Sequence, residues 1–253
     1  MSKVLLIGES CMDIFIYGNT PRLSPEGPAP VFNPINEKYN GGMALNVESN
    51  LESLGVSVDI ITHTSTITKT RYVHESSNTL LLRVDEGDDV KRIDKDTLPK
   101  KYWEYDMVVI SDYNKGFLTD EDIANIAFNH PNTICDTKKK LGEWCRDLKF
   151  IKLNRTEYLN NETFIKNNEW INEKLIITLD KDGCRYKDMI YPTEQVEIMD
   201  ISGAGDTFVA GFTMKYLESS NIAESITFGN KCASEVVQKR GVILTSLLSY
   251  YQS

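Results

Sequence analysis

The chain has little histidine and no zinc-binding pattern. Its three histidines, His63, His74 and His130, lie far apart and form no His-Glu-x-x-His sequence. Its five cysteines form no Cys-x-x-Cys pair. Because zinc sites are typically built from such closely spaced ligands, we expect no zinc site. An odd number of scattered cysteines also favours free thiols in a reducing compartment.

A long apolar run and an excess of positive charge are also missing. No segment approaches the length needed to cross a membrane, and the apolar run at the N-terminus is too short for a signal peptide. The formal charge is −9, which argues against a general binder of nucleic acids or membrane surfaces, because these are acidic too. We therefore expect a cytoplasmic protein with neither of these partners.

The order of strands and helices predicts one large α/β domain covering residues 1–253. Short apolar runs typical of buried strands alternate with segments of helical periodicity. The strands are expected at about 4–7, 107–111, 133–136, 149–153 and 175–179, and the helices at about 119–129, 203–217 and 222–239. Such alternation predicts a parallel sheet with helices on both faces.

Two β-rich segments, about 13–37 and 67–85, do not belong to this alternation. The first is rich in proline, which is excluded from helix interiors and central strands. The second has the pattern of a hairpin around residues 75–78. We expect the two to form a small antiparallel sheet, a lid over a ligand crevice at the ends of the parallel strands.

The most informative stretch is Asp200–Phe212, where Gly203, Ala204 and Gly205 open a helix and Asp206 follows. The first N–H groups of a helix are unpaired and carry partial positive charge, so they suit a phosphate or a developing oxyanion. A carboxylate beside that cradle can accept a hydroxyl proton, which indicates phosphoryl transfer to an alcohol. The alternative is an ordinary helix start with an acidic first turn.

Two further motifs have both a functional and a structural interpretation. Gly41 and Gly42 open a helix in which Asn46 could bond a sugar hydroxyl, or they form a plain turn. Asn154 and Glu157 could help to hold hydrated Mg²⁺, or they form a capping box, and the two roles are compatible.

Other polar residues follow predicted strands. Asp13 could anchor a ligand hydroxyl or be a turn residue, and Thr178–Gly183 could be a bare hairpin turn. Ser111–Gly116 follows a buried strand, at the kind of sheet edge where α/β proteins bind ligands.

Together these segments resemble the PfkB, or ribokinase-like, carbohydrate kinase family over nearly the whole chain. The family signature Asp-Thr-Thr-Gly-Ala-Gly-Asp corresponds to Asp200–Asp206, with Ile201 and Ser202 as mild departures. The Gly-Gly…Asn and Asn-x-x-Glu elements of the family match the two motifs above. The resemblance implies a three-layer α/β/α fold with a mostly parallel sheet and a β lid.

Residues 17–31 are similar to the branch of heptose-7-phosphate kinases, the kinase half of bifunctional ADP-heptose synthesis proteins. Arg22–Glu26 is the most specific part, and the segments 67–71, 81–85 and 111–118 are similar as well. The chain departs from the family between Ile61 and Lys69, where about two dozen residues of the usual family pattern are missing, and we expect a kinase domain without the nucleotidyltransferase half. The resemblance implies phosphorylation of a heptose 7-phosphate to the 1,7-bisphosphate.

The resemblance also implies roles for individual residues. Asp206 would be the base, and the backbone of Gly203–Gly205 would stabilise the transferring group. The sugar would be held by Asp13, Gly41, Gly42 and Asn46, and its phosphate by Lys69, Arg71, Lys115 and Lys138. ATP would be bound by Asn154, Thr178, Asp180, Gly183, Gly205 and Asn230, and Mg²⁺ by Asn154 and Glu157.

Two other functions compete with this one. A kinase of the same fold could act on fructose, ribose or a nucleoside, although Arg22–Glu26 argues against it. A non-catalytic sensor of sugar phosphates or nucleotides is the second, and the intact Asp206 argues against it. Members of the family often pair their lids, which implies a homodimer.

Overall fold

The structure is a computed structural model, and it describes residues 2–246. Six parallel strands form most of a central sheet: β1 (Lys3–Gly8), β4 (Ser57–Ile61), β7 (Met107–Asp112), β8 (Thr133–Thr137), β9 (Phe150–Asn154) and β10 (Leu175–Thr178). Two short antiparallel strands, β11 (Cys184–Tyr186) and β12 (Met189–Tyr191), complete one edge. The order is β12-β11-β10-β9-β8-β7-β1-β4.

Helices cover both faces of this sheet, as the alternation of strands and helices predicts. The helices are α1 (Ala44–Ser53), α2 (Asp120–Asn129), α3 (Arg155–Asn160), α4 (Glu162–Asn167), α5 (Ala204–Ser219) and α6 (Ile222–Val236). In β1, Leu5 and Ile7 pack in the same apolar cluster as α2, whereas Val4 and Leu6 pack in the cluster that includes α1, α5 and α6. The strand is therefore buried on both sides, which explains its uninterrupted apolar sequence.

The lid is a second, four-stranded sheet with the order β3-β2-β5-β6. Its strands are β2 (Ser10–Leu23), β3 (Pro30–Met43), β5 (Thr68–His74) and β6 (Leu80–Glu86). The expectation of an antiparallel sheet is wrong in one pairing, because β2 and β5 run parallel. The chain passes through β4 of the central sheet between them, so it enters both lid strands from the same end.

The prolines of the first lid segment lie where a missing N–H group costs little. Pro30 and Pro34 are on the edge strand β3, and Pro21 lies in the part of β2 that extends beyond its pairing with β5. The glycine pair also differs from expectation: Gly41 and Gly42 lie in β3, just before its last residue Met43, and α1 begins at Ala44. The capping-box interpretation of Asn154 and Glu157 predicted the start of α3, and the hairpin-turn interpretation of Thr178–Gly183 agrees with the antiparallel pairing of β10 and β11. The sequence did not predict α4 and β12, which are six and three residues long.

All five cysteines are buried and free. Burial is the main cause that raises the pKa of each thiol, to about 12 for Cys11, Cys145, Cys184 and Cys232. No helix in residues 2–246 is both long enough and apolar enough to cross a lipid bilayer.

Candidate active site

The N-terminus of α5 is an open anion cradle. Gly203 precedes the helix in a left-handed conformation, with φ 78°, and no side chain caps this end. A Cβ atom on Gly203 would lie 2.5 Å from Nδ2 of Asn46. Only glycine fits both the backbone conformation and this close approach. The N–H of Ala204 donates to the carbonyl oxygen of Ile201 at 3.3 Å, whereas the N–H groups of Gly205 and Asp206 make no hydrogen bond within residues 2–246 and can meet an anion.

Asp206 lies in the first turn of α5, and only 5% of it is exposed. The hydroxyl of Tyr113 donates to its Oδ1 at 2.7 Å, and Nδ2 of Asn46 donates to its Oδ2 at 3.1 Å. Burial raises the pKa of Asp206 to about 6, although both hydrogen bonds favour the ionised form. A carboxylate with this pKa is suited to accept a proton near neutral pH.

Tyr113 lies in the loop after β7, and hydrogen bonds to Glu9 fix this loop so that Tyr113 contacts Asp206. The Glu9 carboxylate is fully buried and accepts the backbone N–H groups of Tyr113, Lys115 and Phe117 at 2.7–3.2 Å. Asn114 and Gly116 in this loop have positive φ angles. The sequence predicts residues 111–116 at a ligand-binding edge of the sheet, but it contains no signal for the roles of Tyr113 and Glu9.

A cleft of about 370 Å³ extends from the cradle to the ends of β8, β9 and β10. It contains every residue expected to bind the nucleotide. These are Asn154, Thr178, Asp180, Gly183, Gly205 and Asn230. Part of its wall is apolar, with Ile198, Phe208 and Val237, which suits a flat heterocyclic base.

Two charged residues at the bottom of this cleft were missed. Nζ of Lys152 lies 2.9 Å from Oδ2 of Asp136, and both side chains are almost fully buried. Burial opposes the charge on Lys152, but the carboxylates of Asp136, Glu157 and Asp206 together outweigh it, so the pKa of Lys152 lies above its ordinary value. A Cβ atom on Gly205 would lie 3.0 Å from this ammonium group. The sequence does contain a signal for these two residues, because Asp136 in β8 and Lys152 in β9 are charged residues inside buried strands.

Asn154 and Glu157 form the expected capping box at the start of α3. The Asn154 side chain accepts from the N–H of Glu157 at 2.9 Å, and Glu157 accepts from the backbone and side chain of Asn154 at 2.7 and 2.8 Å. Lys138 forms an ion pair with the same carboxylate. Both carboxylate oxygens are thus already bonded, which fits a contact to Mg²⁺ through water.

Oδ1 of Asp136 is a buried oxygen without a hydrogen-bond partner, and it lines the same cleft. Oxygen donors of this kind fit Mg²⁺, a hard ion that keeps several waters and shares its ligands with phosphates. Within residues 2–246, no three His, Cys, Asp or Glu side chains form a group that could hold a metal.

A second cleft, of about 340 Å³, lies between the cradle and the lid. The pleat of the lid sheet gives it a charged wall, because paired positions in neighbouring strands share a face. Asp13, Lys69, Arg71, Arg83 and Asp85 all line this cleft from the lid, and Lys115 and Lys138 line it from the central sheet. Arg83 was not among the predicted site residues, although it belongs to a segment that supported the resemblance.

Four of the five cations in this lid cleft already have carboxylate partners. Arg71 pairs with Asp13, Arg83 with Asp85, Lys115 with Asp88 and Lys138 with Glu157.

Lys69 differs from the other four. It is 8% exposed, and its ammonium group lies 5.1 Å from the ring centre of Tyr113. It has no carboxylate partner within residues 2–246. The charge of Asp85 interacts with Lys69 but forms no ion pair with it. Burial of an ammonium group is costly unless the group is paired, so a ligand that carries negative charge would be favoured in the lid cleft.

The backbone of Gly42 passes directly over Asp13. A Cβ atom on Gly42 would lie 2.0 Å from Oδ2 of Asp13, which leaves glycine as the only residue that fits. Gly41 lies beside it at the end of β3, and Asn46 follows in the first turn of α1. Of the expected sugar-binding residues, Asp13 lines the lid cleft and Asn46 contacts Asp206, whereas Gly41 and Gly42 do not line this cleft.

Both clefts share Tyr113, Lys138, Gly203 and Asp206 in their walls. The cradle and the buried carboxylate thus lie at the junction of the two clefts. In such an arrangement, the cradle can hold an anion from one cleft next to a hydroxyl group from the other cleft. The buried carboxylate can then act as the base for that hydroxyl group. The fold and the site define a phosphotransferase.

Comparison with known proteins gives the family. The pfkB family carbohydrate kinase pattern matches residues 62–248. Bifunctional protein HldE of Helicobacter pylori strain J99 is 31% identical over 98% of the chain, and that of Nitratiruptor sp. is 28% identical over 97%. The chain therefore belongs to the PfkB family and is a carbohydrate kinase. It spans 65% of the length of the Helicobacter protein.

Solved structures agree on the fold. Ribokinase from Thermotoga maritima and phosphofructokinase-2 from Escherichia coli each superpose with a TM-score of 0.74 over the full length of both chains, at 15% identity. Ribokinase from Arabidopsis thaliana, complexed with ribose and ATP, has a TM-score of 0.71 at 14% identity. The expected ribokinase-like fold is confirmed.

The alignment with the Helicobacter protein covers 302 positions, which exceeds the 253 residues of this chain. The relative therefore contains segments that this chain lacks, in keeping with a shortened form of the domain.

Proposed function

We propose that the chain transfers the γ-phosphoryl group of ATP to a hydroxyl of a phosphorylated sugar, heptose 7-phosphate. The observation that carries the proposal is the buried, unpaired Lys69 in a lid cleft that meets the nucleotide cleft at Asp206. A sugar that already carries a phosphate supplies the anion that this lysine lacks. The resemblance of residues 17–31 to the heptose-7-phosphate kinases supports the particular sugar.

The reaction follows from the chain's own residues. Asp206 accepts the proton of the sugar hydroxyl while the hydroxyl oxygen forms a bond to the γ-phosphorus. The bond from that phosphorus to the β-phosphate oxygen breaks, and ADP leaves. The N–H groups at the start of α5 stabilise the charge on the transferring group, where most of the catalysis of such a step lies.

Lys152 adds positive charge beside the cradle, at Gly205. Asp136, Asn154 and Glu157 would hold Mg²⁺, partly through water, and the ion would neutralise the charge on the β- and γ-phosphates.

The test is a kinase assay with ATP and Mg²⁺ that follows ADP release over a panel of acceptors. The panel contains D-glycero-D-manno-heptose 7-phosphate, the same heptose without phosphate, fructose, ribose and adenosine. We expect the highest kcat/KM for heptose 7-phosphate, with a 1,7-bisphosphate product in the phosphorus NMR spectrum. A higher kcat/KM for one of the other acceptors would identify this chain as a PfkB kinase with a different substrate.

We also propose that two copies associate through their lids, as a cytoplasmic homodimer. The face of the lid sheet that points away from the lid cleft carries Tyr39 and Leu82, which are 59% and 56% exposed. The outer strands β3 and β6 have unpaired edges. Apolar surface beside open sheet edges is typical of a protein interface.

A further inference from the structure

We propose that Tyr113 is a positioning residue for the base: its hydroxyl fixes the orientation of the Asp206 carboxylate and keeps it ionised at the pH of the reaction. This rests on the proposed role of Asp206 as the base. Tyr113 would not bond to the transferring group itself. It would act through the carboxylate to which it donates.

The geometry restricts the carboxylate at both oxygens. Tyr113 donates to Oδ1 at 2.7 Å and Asn46 to Oδ2 at 3.1 Å. A planar carboxylate held at two oxygens cannot rotate, yet each oxygen retains a lone pair for a substrate proton. The two donors come from different elements, since Asn46 is on α1 and Tyr113 is on the loop after β7.

The loop that carries Tyr113 is itself fixed. The buried Glu9 holds three of its N–H groups, and Asp112 accepts a fourth, from Asn114, at 3.2 Å. The ring of Tyr113 lies 5.1 Å from the ammonium group of Lys69 and 5.3 Å from that of Lys138. Because these cation–π contacts use the ring alone, a phenylalanine keeps them and loses only the hydroxyl.

The proton balance leaves Tyr113 unchanged during the reaction. The substrate proton passes to Asp206, and the Tyr113 proton remains on its own oxygen. Burial and then the negative charge of Asp206 raise the pKa of Tyr113 well above its ordinary value, so the hydroxyl stays a donor.

Other charged groups around Asp206 would be the same in a phenylalanine variant. Asp136 raises the pKa of Asp206, and Lys152 lowers it. Lys69 and Lys138 are held beside the Tyr113 ring, and the thiol of Cys11 is neutral. Tyr113→Phe therefore tests the effect of the hydroxyl alone.

The experiment measures the ionisation of Asp206 directly, by NMR of carboxyl-labelled aspartate in the full chain, with the resonance assigned by its loss in Asp206→Asn. A hydrogen bond to a charged group corresponds to about one to two pH units. We therefore expect Tyr113→Phe to raise the midpoint of the Asp206 titration by about that amount, because the ionised carboxylate loses a hydrogen bond. The acid limb of the pH profile of kcat/KM should move by the same amount, with little change in the KM for ATP.

Tyr105→Phe is the matched control. Its hydroxyl donates to the Asp59 carboxylate at 2.8 Å, far from the cradle, so this variant should leave both the Asp206 midpoint and the acid limb unchanged. A midpoint in Tyr113→Phe within about 0.3 pH units of wild type would overturn the proposal.

The NMR measurement needs no substrate, so it separates the two proposals. If Asp206→Asn keeps near wild-type turnover, the assignment of the base fails. The effect of Tyr113 on the carboxylate is still decided by the midpoint.

Discussion

At the scale of single residues, the burial of Asp206 determines the pH at which its carboxyl group is ionised. Burial raises the pKa of its carboxyl to about 6, so the group is ionised only above that pH. If Asp206 is the base, kcat/KM should fall as the pH drops through about 6, and Asp206→Asn should reduce kcat by at least about a hundredfold. Circular dichroism and ATP binding should match wild type. A variant that turns over normally would exclude Asp206 as the base.

The same burial predicts a gain in stability when the charge is removed. The folded state raises this pKa above the ordinary value of 3.8, so it favours the neutral form. The stabilisation is fully present below about pH 4 and is lost as the pH rises through about 6. Asp206→Asn should therefore unfold with a free energy higher by roughly 1–3 kcal/mol at pH 8. Urea titrations at pH 8 and pH 4 measure the difference, which should shrink at the lower pH.

Lys69 allows a test of the acceptor's charge. Lys69→Met removes the one unpaired cation of the lid cleft, so the KM for heptose 7-phosphate should rise by roughly tenfold or more, in keeping with a lost charged hydrogen bond. Without substrate, the variant should be at least as stable as wild type, because no ion pair is broken. Lys91→Met, at an exposed loop position, is the control. An unchanged KM in Lys69→Met would place the sugar phosphate on other residues.

At the scale of elements, the start of α5 depends on one glycine. Gly203→Ala would have to adopt φ 78° and place a Cβ 2.5 Å from the Asn46 side chain. We expect a loss of stability of about 1–2 kcal/mol and at least a tenfold fall in kcat, because the cradle and Asn46 both move. Gly27→Ala is the control, since its Cβ would meet no atom within 4 Å. Normal kinetics in Gly203→Ala would show that the cradle tolerates displacement.

The elements that the sequence predicts well are those whose cause is local. Apolar runs such as Met107–Ile110 give strands buried on both faces, and the small residues before Asp206 give an uncapped helix start. Tyr113 could not be predicted as a partner of Asp206, because the two are 93 residues apart and meet through a loop folded around Glu9. The parallel pairing of β2 with β5 likewise depends on a crossover through β4, which the sequence of neither strand indicates.

At the scale of the whole molecule, the lid has two chemically different faces. Its charged face lines the lid cleft, and its apolar face is exposed. If the apolar faces of two copies pack together, Tyr39→Lys combined with Leu82→Lys should convert a dimer into a monomer in size-exclusion chromatography with light scattering. Phe128→Lys removes an apolar residue that is 77% exposed on α2, and it should leave the dimer intact. A wild-type monomer at high concentration would contradict the proposed interface.

The buried thiols make it practical to measure movements of the lid with dyes attached to introduced cysteines. All five native cysteines are shielded and hold their protons at neutral pH, so they react slowly with maleimides. One cysteine introduced at the tip of the lid and another on α2 would then accept a donor and an acceptor dye without any change to the native five. Energy transfer between the dyes would report the distance from lid to core in single molecules, with and without nucleotide and sugar.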